Sequence, residues 1–215
     1  MSLLLKNGQV YYKDKLQNLD ILIENDRIKK VGNEISDNAQ EIKDCSGLTI
    51  FPGFIDTHVH FREPGHPKKE TLESGSRGAV IGGITGIFEM PNTSPITDNI
   101  EMLNDKLTRA KNSMHCNYAF YFGATNENSD KLDFLKNLEG CCGVKMFVGS
   151  STGDLLVKDD YYIEQVIKYS PKVVSIHSEN EDMLISRKSN IEEGNVKSHY
   201  KWRSVECALS STKKL

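Results

Sequence analysis

Two histidines separated by one residue, His58 and His60, follow an apolar run and are the first candidates for chemistry in this sequence. Successive side chains of a β-strand point to opposite faces, so on a strand these two imidazoles share one face. Neutral imidazoles side by side can bind one divalent cation. Asp56 shares that face and either orients a ligand or bonds to backbone. In isolation, the pair is better explained as two ordinary polar residues at a strand tip.

Two later apolar runs each carry one further residue of the kind that can hold a metal. Lys145 is the lone cation of Gly143–Val148. It is explained either by an edge strand or a snorkelling stem, or by a buried lysine of lowered pKa whose neutral amine can combine with carbon dioxide. His177 ends Lys172–His177 and shares a face with Ser175. The conjunction of these residues with the histidine pair favours a metal site.

Two residues just past strand ends are candidates for binding a substrate. Arg62 follows the histidine pair, where a guanidinium could grip a carboxylate in bidentate fashion. The alternative is a surface arginine paired with Glu63. Asn92 follows Pro91, which stops an apolar run, and it offers both a donor and an acceptor. The alternative for Asn92 is ordinary turn chemistry.

The elements that must position these residues change character near residue 51. Before it, short strand-like runs and turns at Asn7-Gly8 and Asn25-Asp26 predict a small all-β segment, 1–51. After it, five apolar runs alternate with amphipathic stretches, which predicts βα units and a parallel sheet over 52–215. Gly82-Gly83 is interpreted as a helix stop. The runs are Phe54–Val59, Thr85–Met90, Cys116–Phe122, Gly143–Val148 and Lys172–His177, and the helical stretches are Glu70–Ile81, Asn99–Ala110, Lys131–Leu138 and Tyr161–Tyr169.

The composition excludes several classes of function. A net charge of -3 over 215 residues gives no basis for nucleic acid or an anionic membrane as the main partner. The five cysteines form no CxxC pair and are odd in number, which favours reduced thiols over a disulfide framework or zinc ribbon. The first residues lack the apolar region of a signal peptide. We therefore expect a cytoplasmic protein.

Two segments carry a family resemblance. Residues 51–65, FPGFIDTHVHFREPG, resemble the signature of the amidohydrolase superfamily in its dihydroorotase branch, and residues 82–95, GGITGIFEMPNTSP, resemble that branch's second signature. The resemblance implies an α/β fold in which 52–215 form the N-terminal portion of a (β/α)8 TIM-type barrel of about five βα units. It also implies that 1–51 belong to a small β-sandwich completed by a C-terminal part.

The resemblance further implies a binuclear Zn2+ site. His58 and His60 would bind the more buried metal, and carbamylated Lys145 would bridge to a second metal held by His177. Some members use a bridging aspartate, for which Asp154 is the nearby alternative. Arg62 and Asn92 would bind the substrate carboxylate. The implied reaction is the reversible hydrolysis of dihydroorotate to N-carbamoyl-L-aspartate in de novo pyrimidine (UMP) biosynthesis.

The sequence also departs from the family pattern. Members are considerably longer, and their fourth metal histidine and catalytic aspartate are expected beyond Leu215, so no catalytic residue is assigned within the chain. His199 is given no metal role. We therefore expect the 215-residue chain alone to be inactive, and to form a homo-oligomer or join a complementary C-terminal half.

Two other functions stay open at this point. The first is an allantoinase or a hydantoinase/dihydropyrimidinase, against which Arg62 argues because a hydantoin ring carries no carboxylate. The second is a catalytically incompetent remnant that acts as a binding or assembly subunit, since a partial barrel leaves an open sheet edge.

Overall fold

The computed structural model describes residues 1–150 and 155–215, which divide into two compact units, Met1–Phe54 and Ile55–Leu215. Asp154, the alternative bridging ligand, lies outside the described residues. All five cysteines carry free thiols. Within the described ranges, no helix is both long enough and apolar enough to span a bilayer.

The N-terminal unit is a five-stranded sheet in which β1 occupies the centre. Strands β1, β2 and β3 are antiparallel neighbours, whereas β4 and β5 pair with β1 in parallel. Its small core contains Leu4, Leu22 and Ile35. The strands are β1 Ser2–Tyr12, β2 Lys15–Glu24, β3 Arg27–Gly32, β4 Glu41–Asp44 and β5 Thr49–Ile50.

The predicted turn at Asn7-Gly8 is wrong. Leu5 and Gly8 belong to one continuous strand, whose register shifts between them. Asn7 takes a positive φ of 62° inside this bulge, and its backbone N–H donates to the buried Asp20 carboxylate at 2.9 Å. A hydrogen bond to a buried acid distant in the chain thus stabilises a bulge where the local sequence alone predicts a turn.

The turn predicted at Asn25-Asp26 is confirmed. Both residues have positive φ, 48° and 60°, which a two-residue hairpin turn between right-twisted strands requires. Strand β4 has no counterpart in the sequence prediction. Its four residues are all exposed, so they lack the alternation of apolar and polar side chains from which a strand is predicted.

The larger unit is a sheet of five strands joined through helices, in the order β10-β9-β8-β7-β6. Strands β7 to β10 pair with one another in parallel. This consecutive order confirms the predicted succession of βα units in a partial (β/α) barrel. The strands are β6 Phe54–Val59, β7 Ile84–Glu89, β8 Asn117–Gly123, β9 Cys141–Phe147 and β10 Val174–His177.

Six α-helices accompany these strands in the described part of the chain. The stretch predicted as a helix over Lys131–Leu138 is instead a 3-10 helix, Leu132–Asn137, and a second short 3-10 helix covers Lys188–Asn190. Helix α1 begins with a capping box between Thr71 and Ser74 and ends at Gly82, as the helix-stop interpretation predicts. The helices are α1 Leu72–Ile81, α2 Ile100–Ala110, α3 Asp160–Tyr169, α4 Glu181–Ser186, α5 Ser198–Trp202 and α6 Val205–Thr212.

The two faces of this sheet have different environments. Ile87, Val144 and Met146 pack in the apolar layer that also contains Leu72 of α1 and Leu103 of α2. Because side chains alternate along a strand, the residues between them point to the opposite face. That opposite face carries the histidines and the lysine singled out above.

The sheet ends in two edge strands, β6 and β10. Two large apolar side chains of β6 are more than half exposed, Phe54 at 56% and Ile55 at 61%, and Val173 before β10 is 75% exposed. Apolar edge strands with open backbone groups are surfaces that proteins normally cover.

Two glycines of α1 provide a matched test of how closely this helix approaches the end of β6. A Cβ at Gly75 would lie 2.5 Å from the ring of buried Phe61, whereas a Cβ at Gly78 meets nothing within 4 Å. We predict that Gly75→Ala destabilises the chain by about 1–3 kcal/mol through overpacking. Gly78→Ala should stabilise it by up to about 1 kcal/mol through helix propensity. Equilibrium urea unfolding measures both, and equal effects of the two substitutions would contradict the packing argument.

Candidate functional site

The candidate site lies at one end of the parallel sheet, where successive strands finish. His58 and His60 come from β6 and the residue after its end, Asn92 follows β7, and His177 is the last residue of β10. Lys145 lies in the second half of β9. The carboxyl ends of parallel strands meet at the same edge of a sheet, and barrel enzymes place their chemistry there.

The histidine pair is in direct contact. The Nε2 atoms of His58 and His60 are 3.2 Å apart. His60 Nδ1 lies 2.8 Å from Asn92 Oδ1, and because a carbonyl oxygen can only accept, Nδ1 of His60 carries the hydrogen. This tautomer leaves the Nε2 lone pair of His60 available, directed at its partner.

This geometry suits one shared divalent cation. Two nitrogens bound tetrahedrally at about 2.0–2.1 Å from one zinc ion are separated by about 3.3 Å. The observed separation of 3.2 Å between the two Nε2 atoms matches that requirement. The hydrogen bond from His60 to Asn92 is the outer contact that metal-ligating imidazoles normally make. The histidine pair and its outer partner therefore fit a metal.

The surroundings of both imidazoles favour their neutral form. Burial lowers the pKa of His58 most, nearby Lys145 and His177 lower it further, and the Asp56 carboxylate opposes them. Burial also lowers the pKa of His60, by more than its hydrogen bond with Asn92 raises it. Neutral imidazole is the form that binds metals, so the site favours cation binding at neutral pH.

Lys145 is buried within the sheet. Its side chain is 1% exposed, and β9 has a neighbour on each side, so the edge-strand and snorkelling explanations are wrong. Its Nζ lies 4.9 Å from the centre of the Phe147 ring. Among the described residues, no carboxylate lies within ion-pair distance of this ammonium. Burial alone lowers the pKa of Lys145 to about 8, which makes a neutral amine accessible.

His177 is held by a different set of partners. Its Nε2 lies 2.5 Å from Glu179 Oε2 and 3.2 Å from Arg203 Nη2, and its ring stacks on Phe147. Arg203 also donates to both carboxylate oxygens of Glu179. The arginine hydrogen bonds lower the pKa of Glu179 more than burial raises it, so this acid stays ionised beside His177.

The structure therefore assembles part of the predicted site. It joins His58, His60 and Asn92, and it places Lys145 and His177 close enough to His58 to influence its charge. Over residues 1–150 and 155–215, no three His, Cys, Asp or Glu side chains form a group that could hold a metal. The residues fit one cation at the histidine pair, and they do not fit a second at His177 in this conformation.

Arg62 is exposed beside the site. It is not paired with Glu63, which accepts from the Leu72 backbone N–H at 3.0 Å and lies 3.8 Å from Arg109. In the part of the chain that the structure describes, Arg62 has no ion-pair partner, so its guanidinium is available to a ligand. Asp56 accepts from the His58 backbone N–H at 3.0 Å, which supports the backbone alternative for that acid.

Sequence reasoning missed two ion pairs around these residues. The first is the Glu179–Arg203 pair on His177. The second joins Glu89, the last residue of β7, to Lys106 of α2, with both side chains 1% exposed. A signal for the second exists in the sequence, since Lys106 shares the buried face of α2 with Leu103 and Ala110.

Comparison with known proteins shows the family and the fold. The sequence model described as dihydro-orotase-like matches residues 47–202. The chain is 36% identical over 187 residues to an allantoinase of Desulfitobacterium hafniense (strain DSM 10664 / DCB-2), a match that covers 84% of the chain and 41% of that protein. It is 31% identical over 223 residues to a dihydroorotase of Methanosarcina mazei, covering 98% of the chain and 48% of the relative.

Solved structures give the same picture of the fold. An L-hydantoinase (dihydropyrimidinase) from Arthrobacter aurescens superposes with a TM-score of 0.88 at 23% identity, over 99% of this chain and 49% of that one. The chain thus spans about half the length, or less, of the curated relatives and structures it matches.

The burial of Lys145 predicts a specific pH dependence of stability. In the folded chain the pKa of Lys145 is about 8, whereas the ordinary value is 10.5. Between these pH values the unfolded state binds more protons, so stability rises with pH through this window, by up to about 3 kcal/mol. We expect Lys145→Met to remove this rise.

Urea unfolding of the wild type and Lys145→Met from pH 7 to pH 10, in carbon-dioxide-free buffer with chelator, measures the difference. The two proteins should diverge progressively above pH 8. Parallel pH profiles of the two proteins would show that Lys145 keeps an ordinary pKa.

Proposed function

Because this chain belongs to the dihydro-orotase-like family, we propose that it contributes the metal-binding half of the active site of a dihydroorotase-type cyclic amidohydrolase. One observation carries the proposal. The Nε2 atoms of His58 and His60 converge at 3.2 Å while Asn92 fixes the tautomer of His60. This arrangement is suited to a divalent cation and lies within a family signature.

The proposed metal ligands are His58, His60, Lys145 and His177. When bound, divalent ions such as Zn2+ polarise a carbonyl group and lower the pKa of water. The chain itself holds two neutral imidazoles side by side and fixes one of them through Asn92. Use of His177 requires its Nε2 to leave Glu179 and Arg203, which now occupy it.

Lys145 is proposed to act as a carbamate. Its neutral amine, accessible because the pKa is about 8, forms an N–C bond with carbon dioxide and releases a proton. The product is a carboxylate on a buried stem. The carbamate would give the site a carboxylate that could bind a metal ion. No acid among the described residues pairs with Lys145 and could supply one in its place.

Arg62 and Asn92 are the proposed substrate-binding residues. Arg62 is exposed and free of ion pairs within the described ranges, so it can bind the carboxylate of dihydroorotate in bidentate fashion. Asn92 uses its carbonyl oxygen on His60 and retains its amide N–H donors for a ligand. The proposed reaction is the reversible hydrolysis of dihydroorotate to N-carbamoyl-L-aspartate, a step of pyrimidine biosynthesis.

A second candidate function is hydrolysis of allantoin or a hydantoin. It is favoured by the similarity to the allantoinase of Desulfitobacterium hafniense, which covers most of this chain. Arg62 argues against it, because these rings carry no carboxylate for a guanidinium to bind.

Activity is proposed to require a complementary C-terminal half. The chain spans about half the length of its relatives, and the large apolar residues of edge strand β6 are exposed. Further strands that pair with β6 and β10 would cover these residues and complete the barrel. A homo-oligomer or a non-catalytic assembly subunit are the outcomes that compete with this proposal.

Metal binding provides the first test. We expect the purified chain to bind Co2+ with a visible absorption spectrum, and His58→Ala or Lys145→Ala to weaken the affinity at least about tenfold. His199→Ala is the control, because this exposed histidine packs on the rings of Tyr200 and Trp202 and is not among the proposed ligands. Equal Co2+ affinity of wild type and His58→Ala would refute the proposed site.

Reconstitution provides the second test. With Zn2+ and bicarbonate, we expect the 215-residue chain alone to show no measurable hydrolysis of dihydroorotate. Co-expression with the C-terminal half of a dihydroorotase relative should restore turnover. Full activity of the chain alone would refute the half-site proposal, and no gain on co-expression would favour the non-catalytic subunit.

A further inference from the structure

The buried ion pair between Glu89 and Lys106 is the strongest feature that the proposed reaction leaves unused. Both side chains are 1% exposed, and they lie where β7 ends and the loop to Asn92 begins. Burying two charges is costly, and an apolar pair of similar volume is often as stable or more so. Stability alone therefore gives a poor explanation of this buried pair, and a further role is worth seeking.

The ammonium of Lys106 has a second acceptor. Its Nζ donates to the Met90 carbonyl at 3.0 Å as well as to Glu89 Oε2, and it lies over the ring of Phe120. The other oxygen of the acid, Glu89 Oε1, is buried without a hydrogen-bond partner among the described residues. The acid therefore serves mainly to hold one ammonium, and that ammonium holds the backbone of Met90.

The loop beyond Met90 leads directly to the site. Met90 N–H donates to the Val59 carbonyl at 2.9 Å, next to His60. Thr93 and Thr97 both donate their backbone N–H to the Pro91 carbonyl at 2.9 Å. Asn92 is thus carried on a tight turn, and the Met90 peptide at the base of that turn is fixed by β6 on one side and by Lys106 on the other.

We infer that Lys106, oriented by Glu89, is a positioning residue that fixes the Met90–Thr97 turn so that Asn92 Oδ1 reaches His60 Nδ1. The expected effect of Lys106 on metal binding rests on the proposed function. The contacts from Lys106 to Met90 and from Asn92 to His60 are its geometric basis. Lys106 itself lies on α2, and among the described residues its polar and ring contacts are with Glu89, Met90 and Phe120.

The test separates positioning from stability. Glu89→Leu combined with Lys106→Met replaces the pair with apolar side chains and is expected to fold with an unfolding midpoint near that of the wild type. Without the donor to Met90, the backbone amides of residues 90–97 should exchange with deuterium at least about tenfold faster than in the wild type. The Co2+ dissociation constant should rise about 10-fold to 100-fold, as for loss of other outer contacts to metal-ligating histidines.

Two further variants sharpen the result. Leu103→Ala removes a fully buried side chain from the same face of α2 and keeps the hydrogen bond from Lys106 to Met90. It should lower global stability, and the exchange rates of residues 90–97 should rise only as far as that loss of global stability requires. Glu89→Gln keeps an acceptor for Lys106 and should preserve most of the protection of the turn. If the double variant does not fold, Lys106→Met compared with Leu103→Ala at matched stability gives the same comparison.

The outcomes are distinct. A folded double variant with wild-type exchange in 90–97 would overturn the positioning role. Absence of Co2+ binding by the wild type would refute the proposed metal site, while the exchange measurements would still decide whether Lys106 fixes the turn. Faster exchange with unchanged Co2+ affinity would also overturn the inference, since Asn92 would then not depend on the turn.

Discussion

Alternation of side chains along the parallel strands is the constraint on which the rest of this structure depends. Ile87, Val144 and Met146 must face the helices because that layer is where apolar area is removed from water. Their sequence neighbours are thereby directed to the opposite face. Lys145 is one of those neighbours, so its side chain points away from Val144 and Met146 to the opposite face of the sheet, where it is buried. The packing of the helices on one face of the sheet thus decides which side chains point to the site on the other face.

The two buried lysines show how the same residue type serves different purposes. Lys106 lies beside Glu89 and donates to Met90, so its charge is compensated within the helix–sheet layer. Lys145 lies over the face of Phe147 and has no acid within ion-pair distance among the described residues, so burial lowers the pKa of its amine without compensation. The first arrangement is suited to holding backbone, and the second is suited to an amine that changes its protonation state or reacts.

The contacts of His177 show which site residues a partial barrel arranges within its own chain and which it does not. The histidine pair finds its outer partner in a neighbouring element, since Asn92 lies in the turn after β7, the strand next to β6. His177 lies on the opposite edge strand, where Glu179 and Arg203 satisfy its ring nitrogen. A polar group at an open edge takes the nearest partners that its own chain offers. The histidine pair and its outer partner are therefore in place at β6 and β7, whereas at β10 the Nε2 atom of His177 is already occupied by Glu179 and Arg203.

The sequence by itself determined the succession of strands and helices in the larger unit and the face shared by His58 and His60. Both follow from local periodicity, which depends only on neighbouring residues. It also supplied the family, because two contiguous segments carry the signature residues. It did not predict the continuous β1 strand, since the bulge at Asn7 depends on the distant acid Asp20. Only the tertiary structure decided that Lys145 is buried and unpaired, that His177 binds Glu179 and Arg203, and that Lys106 reaches Met90. These are contacts between elements far apart in the chain, whose partners and distances are set by packing.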